Sequence, residues 1–272
     1  MSFLRIENLS KSYQLRKAFG GRSKEQVHAV DNVSFEVQKG ETLGIVGESG
    51  CGKSTLGRTI VRLEEPTSGR IFFDEEELTS KSQSQLRVVR KKIQMIFQDP
   101  YASLNPRWSV MDIVTEPLRE HHMVMGPTAL RDKAVELLKS VGLSAQDLDR
   151  FPHQFSGGQR QRISIARALA VSPEFLVCDE PTSALDVSVQ AQVLNLMQDL
   201  QAQRGLTYVN LDEIEVDDDE RSSGLLVPEE LLDLCAQLGQ WDSLWEKDHL
   251  LGRGVTWTTA GERYRYCGPD AT

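Results

Sequence analysis

The run Gly47-Glu48-Ser49-Gly50-Cys51-Gly52-Lys53-Ser54 constrains the fold more than any other part of the chain. It fits G-x-x-x-x-G-K-[ST] and stands between an apolar strand, Thr42 to Val46, and a helix read from about Lys53 to Arg62. Glycines at these positions let the backbone turn tightly and aim its N–H groups at one point. The start of the helix adds a partial positive charge. Such a loop is built to grip phosphate. Lys53 is placed to reach the terminal phosphates of a nucleotide, and the Ser54 hydroxyl to join a Mg²⁺ shell.

A second chemical signal lies at the end of another apolar run. Phe175 to Cys178 reads as a buried strand that delivers Asp179-Glu180 at its carboxyl end. Ligands bind at that edge of open α/β sheets. Asp179 is a candidate Mg²⁺ ligand, directly or through water, and Glu180 a candidate for polarising an attacking water. Phosphoryl transfer needs both parts, charge neutralisation and an oriented nucleophile.

The pattern between and around these signals alternates strand and helix, which implies a parallel sheet with helices on its faces. Val33 to Val37, Ile93 to Phe97 and Leu206 to Leu211 read as further strands. Residues 101–164 read as a helical insertion, with helices near 110–121 and 129–141 and a third from Gly157 to Ala170. Val187 to Gln203 carries Val189, Val193, Leu196, Met197 and Leu200 on one face. No apolar run approaches the ~20 residues of a membrane span, and the first residues lack a secretory pattern. The four cysteines form no Cys-x-x-Cys pair, so a reducing compartment is expected.

Charge is unevenly spread. Residues 210–272 hold 15 acidic and 5 basic side chains, and the rest 25 acidic and 26 basic. A neutral body and an acidic tail argue against nucleic acid as a partner. Seven of the nine residues from Asp212 to Glu220 are acidic, and residues 212–223 read as a solvated linker. Beyond it, a helix is expected from Pro228 through Leu231, Leu234, Cys235 and Leu238 to Gly239. A hairpin is expected from Val255 to Thr258 and Arg263 to Cys267. With Trp241, Trp245 and Trp257, this region is expected to fold or dock.

Phe155-Ser156-Gly157-Gly158-Gln159-Arg160 precedes a helix and reads either as a second anion-binding helix start or as an ordinary capped turn. Taken with the loop, Gln98, Asp179-Glu180 and Ser183-Ala184-Leu185-Asp186, its order resembles the ATP-binding subunits of ABC transporters over residues 1–209. Ser156-Gly157-Gly158-Gln159 resembles the family signature, and Ser183 to Asp186 its D-loop. Tyr13 resembles the aromatic residue that stacks on adenine. Gln98 to Arg107 and Pro152 to Arg162 resemble the peptide and nickel importer branch.

The resemblance implies an α/β P-loop NTPase (RecA-like) core with an antiparallel β subdomain, an inserted helical subdomain at about 101–164, and an atypical acidic tail at 210–272. It implies ATP and Mg²⁺ as cofactors, with Tyr13, the loop 47–54, Thr55 and Ser156 to Gln159 contacting nucleotide. Ser54, Gln98 and Asp179 would serve the metal, and Glu180, Gln98 and Lys53 would be catalytic. Two subunits, identical or not, would close head-to-tail over two ATP molecules, with Ser156 and Gly158 of one facing the γ-phosphate held by the other. The insertion would dock on membrane permease subunits at the cytoplasmic face of the inner membrane. A separate solute-binding protein would deliver the peptide or related solute.

The resemblance stops near Asn210. A switch histidine is expected near Glu213 and none lies there. Retained ATP binding with impaired turnover is therefore expected. A partner subunit with little hydrolysis and a soluble, non-transport ATPase of the same type are the competing readings. Cys51 lies inside the loop, where alkylation blocked by ATP is expected and a catalytic role is not, since no adjacent base is evident. Cys178 reads as buried filler, His121-His122 as an exposed helix end, His153 as a packing or capping residue, and Trp108 as packing within the insertion.

Overall fold

The computed structural model describes residues 2–16, 22–124, 126–213, 256–259 and 262–266. In chain order the strands are β1 (Leu4–Arg16), β2 (Arg22–Val37), β3 (Thr42–Gly47), β4 (Ser68–Phe73), β5 (Glu76–Glu77), β6 (Ile93–Ile96), β7 (Phe175–Asp179), β8 (Thr207–Glu213), β9 (Thr256–Thr259) and β10 (Glu262–Tyr266). The helices are α1 (Lys53–Ile60), α2 (Gln83–Val89), α3 (Pro100–Ser103), α4 (Val110–Glu120), α5 (Pro127–Ser140), α6 (Gly157–Leu169) and α7 (Val187–Arg204), with short 3₁₀ turns at Ala145–Asp149 and Pro152–Gln154. The chain divides into two units, residues 1–82 with 208–272, and residues 83–207.

The first unit holds an antiparallel sheet in the order β2-β1-β4-β5. Leu4 and Ile6 of β1 alternate inward, as a half-buried strand requires. The alternation breaks at Asn8 (φ 48°), where the β1–β2 register shifts, and Leu9 is buried instead. The bulge brings backbone onto Gly69 of β4, where a Cβ would lie 2.4 Å from the Asn8 carbonyl oxygen. The same unit contains β3 between two parallel neighbours, β8 on one side and β10 on the other. Its two edges are thus satisfied by hydrogen bonds, and all six residues of β3 are buried, as in a parallel sheet covered on both faces. Leu43, Ile45 and Val46 are each at most 1% exposed, and each such side chain contributes roughly 2 kcal/mol.

The C-terminal hairpin forms: β9 and β10 pair antiparallel, Glu262 opposite Thr259. β10 then runs parallel to β3, Arg263 to Tyr266 beside Leu43 to Val46. The expected helix from Pro228, with Trp241 and Trp245, and most of the acidic linker lie outside the described residues.

In the second unit β6 and β7 pair in parallel, Ile93 opposite Phe175 and Ile96 opposite Cys178. Phe175 to Cys178 are at most 1% exposed, so Cys178 is core filler as expected. The helical insertion packs α4 against α5 and α6. Val110, Ile113, Val114 and Leu118 fall on one face of α4 and are all buried. Ser109 caps that helix: its hydroxyl accepts from the Asp112 N–H and donates to the Asp112 carboxylate. That hydrogen bond, with help from Arg119, holds the Asp112 carboxyl below the ordinary carboxylate range. On α7, Val193, Met197 and Leu200 are buried at helical spacing, and Gly205 (φ 64°) ends it.

Candidate functional site

The phosphate loop takes the conformation its glycines permit. Gly52 sits at φ 101° as the N-cap of α1, and a Cβ there would lie 1.9 Å from the Ala29 carbonyl oxygen. Gly50 is also left-handed, at φ 76°, but faces open space. This contrast predicts that Gly52→Ala costs about 3 kcal/mol of stability, from backbone strain plus overlap with main chain that has no rotamer to yield. Gly50→Ala is expected to cost about 1 kcal/mol, from backbone strain alone. Urea unfolding of the two variants measures the difference, and equal midpoints would refute it.

Because glycine brings no side chain, nothing from the N-cap residue covers the first turn of α1. Lys53 opens that turn and is only 5% exposed. Its Nζ donates to the carbonyl oxygens of Gly47 at 2.7 Å and Glu48 at 2.8 Å, and lies 3.9 Å from the Cys51 sulfur. Thus a buried cation is tethered inside the loop by neutral oxygens. Ser49 and Gly50 are exposed at the crown, while Cys51 and Ser54 are half-buried.

Tyr13 belongs to the same unit and is 39% exposed. Its phenol donates to the Glu64 carboxylate just beyond α1. Burial, and then that carboxylate, push the phenol above its ordinary range, against a hydrogen bond from Thr55 on α1. Residue 213 ends β8 in register with Gly47, the first residue of the loop.

The second unit collects the carboxylates and the signature segment. Because β6 and β7 run parallel, Gln98 and Asp179-Glu180 emerge at the same carboxyl edge. Asp179 and Glu180 are 1% and 6% exposed. The Gln98 Nε2 donates to the Glu180 carboxylate, a contact between residues 82 apart in sequence. Glu180 has φ 44°, unusual for a residue that carries a Cβ. Its carbonyl accepts from the Ser183 hydroxyl at 3.2 Å, which anchors the following turn. Gln190 of α7 donates to the carbonyls of Thr182 and Leu185, holding the loop from Ser183 to Asp186.

Ser156 caps α6 in a capping box: its hydroxyl accepts from the Gln159 N–H at 3.4 Å, and Gln159 Oε1 accepts from the Ser156 N–H at 3.0 Å. The two glycines have a packing reason. A Cβ at Gly157 would lie 3.3 Å from Leu185, and one at Gly158 would lie 2.3 Å from Val189. Glycine here lets α6 seat its first turn against Leu185 of the loop before α7 and against Val189 in the first turn of α7. Sequence reading named neither Glu64 nor Gln190. Neither lies in a motif, and Glu64 stands 51 residues from the tyrosine it holds.

Among the other weighed residues, His122 is exposed and His121 half-buried at the end of α4. His121 is held below its ordinary range by burial and by Lys91 and Arg87. The His153 ring stacks on Phe151 at 6.0 Å, and Trp108 is half-buried. No cluster of three or more His, Cys, Asp or Glu side chains able to hold a metal occurs among the described residues. The hydroxyl, amide and carboxylate oxygens of Ser54, Gln98 and Asp179 are the hard donors that suit Mg²⁺, which binds through one or two carboxylates together with substrate phosphates rather than in a protein cage.

A strand–glycine loop–lysine–helix beside a parallel sheet defines a phosphate-loop nucleotide-binding protein. The comparisons narrow that class. The family model described as ABC transporter matches residues 30–183. The oligopeptide transport ATP-binding protein OppF of Bacillus subtilis is 58% identical over 184 residues, covering 67% of this chain and 60% of that protein. The dipeptide transport ATP-binding protein DppF of Haemophilus influenzae is 50% identical over 201 residues, covering 74% and 61%. The cassette MJ0796, solved as a post-hydrolysis dimer bound to ADP and Pi, superposes with a TM-score of 0.68 at 32% identity, covering 77% of this chain and 87% of that one. The chain belongs to the ABC transporter family and has its ATP-binding cassette fold. It spans about 60% of the length of these OppF and DppF relatives.

Proposed function

We propose that residues 1–209 form the ATP-binding domain of a subunit that binds and hydrolyses ATP to drive import of peptides or a related small solute. The buried Lys53 ammonium, donating to the Gly47 and Glu48 carbonyls inside the glycine loop, carries the reading, since a charged N–H donor held at that point is what a phosphate oxygen accepts from. The names of the OppF and DppF relatives support the peptide class.

In this reading the loop 47–54 and Thr55 take the phosphates, and the base stacks on Tyr13. Ser54, Gln98 and Asp179 hold Mg²⁺, which when bound neutralises phosphate charge. Glu180 accepts a proton from the attacking water, and Gln98, through the hydrogen bond it donates, sets the orientation of the Glu180 carboxylate. Ser156, Gly157, Gly158 and Gln159 serve the ATP of a second subunit, in a homo- or heterodimer. The dimer works on permease subunits as a peripheral protein at the cytoplasmic face of the inner membrane, with a solute-binding protein upstream. No helix among the described residues is long and apolar enough to cross a membrane.

Position 213 favours a second reading, a nucleotide-binding subunit with little hydrolysis. An acid stands there, in register with Gly47, where the family's switch histidine is expected.

Cys51 reports on the central claim directly. MgATP at saturating concentration is expected to slow maleimide alkylation of Cys51 by at least about tenfold, because a bound phosphate shields a thiol next to Lys53. Mass spectrometry of the labelled peptide checks this. A rate indifferent to MgATP would refute nucleotide binding at the loop.

A further inference from the structure

Tyr13 does not stand alone. Lys11 Nζ lies 4.9 Å from the centre of its ring, donates to the Glu65 carbonyl at 2.7 Å and sits 4.0 Å from the Glu64 carboxylate. Arg58 of α1 approaches the same carboxylate at 4.0 Å. The phenol donates to Glu64, while Thr55 hydrogen-bonds to the Tyr13 side chain from the helix that begins at the phosphate loop. A cation therefore covers one face of the ring. The ring's rotation is set by a hydrogen bond at its far end, and that hydrogen bond ends on the chain segment leaving α1.

We propose that Glu64 is the positioning residue for the nucleobase: through the Tyr13 phenol it fixes the aromatic ring at a set angle to the phosphate loop, and Lys11 leaves only the opposite face for the base. The proposal rests on the reading in which Tyr13 carries the base. Stacking itself tolerates any base. Glu64 thus governs the fit between base and phosphates for ATP and GTP alike, and has no part in holding phosphate alone.

The test uses the full chain and the concentration of ligand that half-protects Cys51 from alkylation. The ligands are MgATP, MgGTP and Mg-tripolyphosphate, which has no base. Glu64→Ala is expected to raise the MgATP and MgGTP midpoints by about fivefold, the worth of one hydrogen bond, and to leave tripolyphosphate unchanged. Tyr13→Phe is expected to match it, and adding Glu64→Ala to Tyr13→Phe to change nothing further, because both remove the same hydrogen bond. Glu64→Gln, which keeps an acceptor oxygen, should stay within about twofold of the parent. Tyr13→Ala should raise the MgATP midpoint by about tenfold or more. Equal shifts for MgATP and tripolyphosphate in Glu64→Ala would show a merely structural role and overturn the proposal. So would a MgATP midpoint unmoved by Glu64→Ala but moved by Tyr13→Ala. A midpoint unmoved by Tyr13→Ala would instead remove the base from Tyr13, and with it the reading underneath.

Discussion

Glu180→Gln is expected to lower ATP turnover by about a thousandfold while the affinity for MgATP stays within about twofold. A positioned general base contributes 10²–10⁴ in rate, and glutamine cannot accept the water's proton. The substitution keeps the shape of the site. Gln98 donates to the Glu180 carboxylate, and an amide at position 180 offers an oxygen to the same donor. The backbone at φ 44° is asked of either residue equally. Steady-state phosphate release and equilibrium nucleotide binding separate the two effects. A variant that bound ATP poorly would show that Glu180 is structural, and one that turned over normally would show that another group takes the proton. The left-handed strain points the same way: such geometry at a buried carboxylate persists only where the surroundings over-determine it. Here the Ser183 hydroxyl bond to the Glu180 carbonyl and the contact with Gln98 do so.

The sequence shows the elements whose signals are local. The strand, loop and helix from Thr42 to Ile60 are readable because six buried residues run straight into glycines and a lysine. β7 and α7 are readable for the same reason, one as a short apolar run and the other as a 3.6-residue stripe closed by Gly205. β1 is harder, since its alternation fails at Asn8 where the bulge forms, and only its partner strands show why. The capping box of Ser156 and Gln159 has its pattern in plain view, yet that pattern fits both an anion site and a capped turn. The packing of Gly157 on Leu185 and Gly158 on Val189 depends on how the start of α7 and the loop before it fold back, which spacing alone does not state. The site's internal contacts were the least legible. Gln98 with Glu180 and Tyr13 with Glu64 are joined by hydrogen bonds across 82 and 51 residues, and no local periodicity encodes either pair.

The C-terminal end of β8 yields the other large expected effect, since the proposed reading expects a switch histidine there and the chain carries Glu213. Glu213→His is expected to raise steady-state ATP turnover of the full chain by about 10²–10³-fold. The register puts residue 213 beside Gly47, where the phosphate loop begins. A hydrogen-bond donor directed at charge developing on the γ-phosphate is worth a few kcal/mol of barrier, whereas a carboxylate repels that charge. Glu213→Gln divides the two contributions: it removes the negative charge and supplies a neutral amide, so it should recover about tenfold, with the remainder requiring the imidazole. MgATP half-protection of Cys51 should move far less than turnover in both variants, because in the proposed reading Lys53 and the loop amides, not residue 213, hold the phosphates before the reaction. If the parent chain already turned over like relatives that carry the switch histidine, or if Glu213→His left the rate where it was, then the acid at this position would be no obstacle, and the subunit would have to be regarded as fully competent without one.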